Sequence, residues 1–125
     1  MGKNIDAAKL SPGTLAYVGD ALFHLEVRAR LIAGFGDLSS KALNVKAAGY
    51  VSAVAQAKIL DRIEPNLNEF ERDLLRRARN LHDKAPAKNA TLAEYKRATG
   101  LEAVLGYYYL AGDMRLQEIM QMVFE

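Results

Sequence analysis

Two acidic residues stand in strongly apolar helical stretches. Asp20 lies inside Leu15-Ala16-Tyr17-Val18-Gly19-Asp20-Ala21-Leu22, an otherwise apolar stretch. Aspartate is a mediocre helix former, and burying its charge is costly unless it is paired or binds a metal. Gly19 beside it costs up to about 1 kcal/mol of helix stability relative to alanine. Two unfavourable choices side by side mark a site or a close packing contact. The plainer alternative places Asp20 at the edge of an apolar stripe, reaching solvent. Glu102 heads a second apolar stretch, Leu101-Glu102-Ala103-Val104-Leu105-Gly106-Tyr107. Its plainer reading is the third-position partner of Thr99 in a capping box, where a carboxylate also suits the helix dipole.

A third group is basic. Arg76-Arg77-Ala78-Arg79-Asn80 is followed by Lys84, Pro86, Lys88 and Asn89, with Asp83 the one acid between residues 76 and 88. Cations at a helix end and in the loop beyond it can grip phosphates, with asparagines adding hydrogen bonds. The same cations also suit a solvated helix C-terminus. Tyr107-Tyr108-Tyr109 points three rings in three directions, and core packing is the expected use. Of the two histidines, His24 stands four residues after Asp20 and within helical reach of it, and His82 has no evident partner.

Composition excludes several chemistries. The chain has 125 residues, half of them apolar, so it can bury a core as one domain spanning residues 1–125. It has no cysteine, which removes disulfides, thiolate metal sites and cysteine nucleophiles and suits a cytoplasmic location. No apolar run approaches the roughly 20 residues that span a bilayer, so no membrane is expected. The polar N-terminus lacks a signal-peptide core. No glycine-rich phosphate loop, zinc-ligand spacing or nucleophile elbow occurs. Net charge is only +2, so the distribution of charge is more informative than its sum.

The elements that must hold these groups are helical. Ser11-Pro12 starts a helix that Gly34 and Gly36 end, with an apolar stripe of Leu15, Val18, Leu22, Leu25, Ala29 and Ile32. A second helix opens near Asp37 or Ser39 and runs to about Ile63, burying Leu43, Ala47, Tyr50, Val51, Val54 and Ile59. Asn68 with Glu71 reads as a capping box for a third, ending near Asn80. A polar loop follows to about Ala90. Thr91 with Glu94 starts one short segment and Thr99 with Glu102 another, to Leu110. Gly112 closes it, and Asp113 caps a last helix bearing Ile119, Met120, Met122 and Val123. No window alternates with period two, so the expected class is all-α without a sheet.

Together these segments resemble the catalytic domain of the ribonuclease III family. Its signature glycine-aspartate-alanine step, preceded by an aromatic or aliphatic pair, is matched by Tyr17-Val18-Gly19-Asp20-Ala21. Its later metal-binding glutamate, followed by alanine, aliphatics and glycine, is matched by Glu102-Ala103-Val104-Leu105-Gly106. The Mini-III branch is more similar still, through Val51-Ser52-Ala53 with Gln56-Ala57, Arg76-Arg77-Ala78-Arg79-Asn80 and Pro86-Ala87-Lys88-Asn89. The broader family has further acids where this chain has Ala16 and Thr99, leaving two of the usual four carboxylates. The double-stranded-RNA-binding domain that normally follows is not expected within this length.

The resemblance implies a magnesium-dependent endoribonuclease, with manganese able to substitute. Asp20 and Glu102 would be the catalytic and metal-binding residues. Arg76, Arg77, Arg79, Asn80, Lys84, Lys88 and Asn89 are the candidate RNA contacts. It implies a homodimer that cuts double-stranded RNA to 5′-phosphate and 3′-hydroxyl ends, with precursor ribosomal RNA of the large subunit as the substrate class. The alternative is a non-catalytic RNA-binding or ribosome-associated helical dimer of the same fold.

Overall fold

The computed structural model describes residues 5–81 and 90–125. Within them run six α-helices: α1 (Pro12–Phe35), α2 (Ser40–Val51), α3 (Ala53–Ile63), α4 (Glu69–Arg79), α5 (Leu92–Ala111) and α6 (Arg115–Phe124). Short 3-10 turns cover Ala7–Lys9 and Glu64–Asn66. No strand occurs among the described residues, as expected. None of their helices is long and apolar enough to cross a membrane.

Local chemistry sets most boundaries. Ser11 accepts the Thr14 N–H through its side chain ahead of Pro12, and Gly36 at φ 76° ends α1. Asn68 and Glu71 form both halves of the capping box that starts α4, and Thr91 and Glu94 do the same for α5. Gly112 closes α5 at φ 66°. Asp113 Oδ1 accepts the Arg115 N–H at 2.8 Å, next to Met114 at the start of α6.

Three expectations need correction. The single helix expected to reach Ile63 is two helices, because Ser52 turns extended and its side chain caps Ala55 N–H. A serine hydroxyl offers the backbone that local alternative to a continuing ladder. Conversely, the two segments expected over residues 91–110 are one helix. The Thr99 hydroxyl donates to Tyr95 O at 3.0 Å inside α5, so Thr99 and Glu102 form no capping box. Finally, the buried face of α1 is Leu15, Ala16, Gly19, Phe23, Val27 and Leu31, while Leu25, Ala29 and Ile32 are exposed. This helix is apolar on most sides, so periodicity admits two neighbouring stripes. The one taken carries the smallest residues where α5 passes.

α5 is the central element. Leu101, Ala103, Val104 and Leu105 are at most 1% exposed, and α1, α3 and α4 pack around them. α1 and α5 meet main chain to main chain. A Cβ on Gly19 would collide with the Glu102 carbonyl, and one on Gly106 with the Leu15 carbonyl.

A buried polar knot joins α4, α5 and α6. Glu71 is 0% exposed. Its carboxylate accepts from Arg115 Nε and Nη2 (2.8 and 3.0 Å), Tyr108 Oη (2.6 Å), and Asn68 N and Nδ2 (2.9 and 3.0 Å). Burial alone would raise its pKa, but the hydrogen bonds from Arg115, Tyr108 and Asn68 outweigh burial and hold it below the usual carboxylate range. Tyr108 is thereby core, Tyr107 is half-buried and Tyr109 is exposed, as three directions require.

Candidate active site

The contact at Gly19 delivers Asp20 and Glu102 to one place. Gly19 lies against the Glu102 backbone, so the side chain of the next residue on α1 emerges beside that of Glu102 on α5. The glycine beside Asp20 thus serves close packing and the site together. The two carboxyl groups stand within hydrogen-bonding reach and open into a cleft of about 470 Å³. Tyr17, Gln56, Tyr95 and Thr99 also line it.

The environment of the pair is asymmetric. The Asp20 side chain is 59% exposed, with His24 Nε2 at 3.4 Å from its Oδ1. Glu102 is largely withdrawn from water, and burial, with the Asp20 carboxylate beside it, pushes its pKa up to about 8. The one opposing contact is Gln56, whose Nε2 donates to Glu102 Oε2 at 3.2 Å. In this state Glu102 keeps its proton at neutral pH.

Two neighbouring carboxylates, one of them drawn from water, favour a proton or a cation beside the buried one. The donors are hard oxygens and the chain has no thiolate, which suits magnesium, an ion that retains several waters and often takes only one or two carboxylates. Among the described residues no three acidic or histidine side chains gather for a larger ligand set. Ala16 and Thr99 face the same cleft, but Ala16 offers no donor and the Thr99 hydroxyl is committed to Tyr95 O.

Among the described residues, the basic candidates do not line the cleft of this pair. Arg76 and Arg79 line a separate groove of about 610 Å³ on another flank of α5, where Arg72, Lys96 and Arg97 join them over Leu60, Leu75 and Leu92. Arg76 is already paired with Asp73 at 2.6 Å. Arg77 lines neither cavity, and Asn80 is the C-cap of α4. His82, Lys84, Pro86, Lys88 and Asn89 lie outside the described residues. Sequence reasoning gave no role to Gln56, a buried polar side chain on the apolar side of α3, or to Lys96. A lone polar residue at a core position was the available sign of the first.

Comparison with known proteins gives a consistent answer. The family model described as the ribonuclease III domain matches residues 13–113. A Mini-ribonuclease 3 from Symbiobacterium thermophilum is 47% identical over 113 residues, covering 90% of this chain and 86% of that protein. One from Clostridium tetani is 39% identical over 119 residues, covering 94% and 79%. The crystal structure of a Fusobacterium nucleatum protein aligns with a TM-score of 0.79 at 33% identity, covering 92% of this chain and 89% of that one.

Proposed function

The chain belongs to the ribonuclease III family and is an endoribonuclease of the Mini-ribonuclease 3 kind, and from that premise we propose that Asp20 and Glu102 hold a magnesium ion with which it cuts double-stranded RNA. The observation that carries this reading is the facing pair itself, with Glu102 raised to about 8 by burial and by Asp20. Such a pair gains from exchanging the Glu102 proton for a divalent cation. When bound, magnesium supplies an activated water and offsets the charge that develops on the phosphodiester. Manganese, also an oxygen-binding divalent ion, can replace it.

The chain's own residues divide the remaining work. Asp20 is exposed and stands at the RNA side of the cleft, while Glu102 is anchored on the buried helix. The duplex is read by shape, phosphates and 2′-hydroxyls. Arg76, Arg79, Lys96 and Arg72 offer a basic groove for phosphates away from the cleft, with Arg77, Asn80, Lys84, Lys88 and Asn89 as further contacts.

The active form is a symmetric homodimer, each subunit cutting one strand. Tyr17, beside the cleft, is 81% exposed, and Leu25, Ile32 and Phe35 of the same helix are more than half exposed, an apolar surface that a second copy would cover. The substrate is precursor ribosomal RNA of the large subunit, processed in the cytoplasm to 5′-phosphate and 3′-hydroxyl ends.

Incubating the protein with duplex RNA in magnesium, and separately in chelator, tests the reading. Magnesium-dependent cleavage with 5′-phosphate products is the expected result. Duplex binding without cleavage in magnesium or manganese would overturn it in favour of a non-catalytic RNA-binding dimer, which the missing acids at Ala16 and Thr99 favour.

A further inference from the structure

We infer that Gln56 is a positioning residue for the metal site, its side-chain amide nitrogen holding the Glu102 carboxylate in the orientation that receives the cation. The inference rests on the reading of Asp20 and Glu102 as a magnesium site. Gln56 is 2% exposed and sits in the first turn of α3. Its Nε2 donates to Val51 O at 3.0 Å and to Glu102 Oε2 at 3.2 Å. Val51 O can only accept, and so can an ionised Glu102, which fixes which end of the amide faces them.

That orientation leaves Gln56 Oε1 buried without a donor. A buried carbonyl left unmatched is a liability that methionine or leucine, of similar volume, would not carry. The residue therefore stands in the core for what its nitrogen does. The Val51 bond alone would be a helix-junction cap. The Glu102 bond extends it across 46 residues of chain to the central helix, and joins the α2–α3 break to the carboxylate. Among the described residues no other side chain donates a hydrogen bond to Glu102. Groups that hydrogen-bond a ligating carboxylate typically change metal affinity about 10- to 100-fold when removed.

Gln56→Met removes both the donor and the orphan oxygen at nearly constant volume. Mn2+ titration of the RNA-free protein, followed by electron paramagnetic resonance, reads metal affinity directly, with thermal unfolding alongside. The expected result is a Kd for Mn2+ weaker by about 10- to 100-fold, little change in Tm, and cleavage that needs more magnesium but recovers kcat when saturated. An unchanged Kd in a folded variant overturns the positioning role and leaves only the cap. Should Gln56→Met fail to fold, Gln56→Asn keeps the amide but is one methylene short of Glu102. Weakened Mn2+ binding there supports the inference and wild-type binding overturns it. Asp20→Asn is the reference: if it binds Mn2+ as the wild type does, the metal-site reading itself falls, a different outcome from failure at Gln56 alone.

Discussion

Glu71 and Glu102 are both drawn out of water, and their surroundings treat them oppositely. Glu71 has five donated hydrogen bonds, including both nitrogens of an Arg115 fork, and stays ionised. Glu102 has one amide donor and a second carboxylate beside it, and is pushed up to about 8. Burial pushes both upward; the supply of donors separates them. A carboxylate whose oxygens are all satisfied binds the fold together, and one left short of positive partners would gain from a cation.

The contrast can be broken most directly by exchanging each acid for its amide. Glu102→Gln, or Asp20→Asn, should lower the cleavage rate by about 10³-fold or more, roughly 4 kcal/mol of transition-state stabilisation, in single-turnover assays with duplex RNA. Glu71→Gln should leave the rate of the folded fraction within a few-fold of wild type. Comparable rate losses from both would erase the distinction.

Stability should invert the order. Glu71→Gln strands Arg115 and should cost about 3–5 kcal/mol in urea denaturation, whereas Glu102→Gln should cost nothing at pH 8. A smaller loss of about 1–3 kcal/mol is expected for Gly19→Ala, since its new methyl must force α1 away from α5. Its cleavage rate should fall further than stability alone explains, because the same shift separates the two acids.

The contrast also shows in pH. Glu102 holds its proton in the folded protein up to about pH 8, but loses it near 4.5 when unfolded. Between those values the folded state binds more protons, so stability without metal should fall as pH rises from 4.5 to 8. Scanning calorimetry in chelator should show a Tm that falls as pH rises through this range, a trend that Glu102→Gln abolishes and magnesium offsets. A metal-free Tm that rises through this range, with no difference in the variant, would sink this account of Glu102.

Much of this was legible in the sequence, and the limits have physical causes. Capping chemistry is local, so Ser11, Asn68–Glu71, Thr91–Glu94 and Gly112 all marked real boundaries. Ser52 and Thr99 show where local reading stops, because a hydroxyl can cap a new helix or bond back inside an old one, and tertiary packing decides. The wrong stripe on α1 has the same origin, since only the path of α5 selects among its apolar faces. Asp20 stood out through neighbours that suit a helix poorly and Glu102 through the family resemblance, but Gln56 did not, because its partner lies 46 positions away. Arg76 and Arg79 were legible as a basic cluster, but their groove with Arg72, Lys96 and Arg97 was not, because only the packing of α4 against α5 brings those side chains together.

The meeting of α1 and α5 at Gly19 and Gly106 has a consequence for how such a protein changes over time. The gap between the two acids is gauged by peptide backbone, not by the bulk of surrounding side chains. Leu, Ile, Val and Phe elsewhere in the interior can drift in size and repack without rescaling that gap. Were the two acids to hold a metal as proposed, the number of ligands would by contrast be open to change at Ala16 and Thr99, which line the same cleft. Ligand spacing would then be set by the main chain, and ligand count by ordinary substitution.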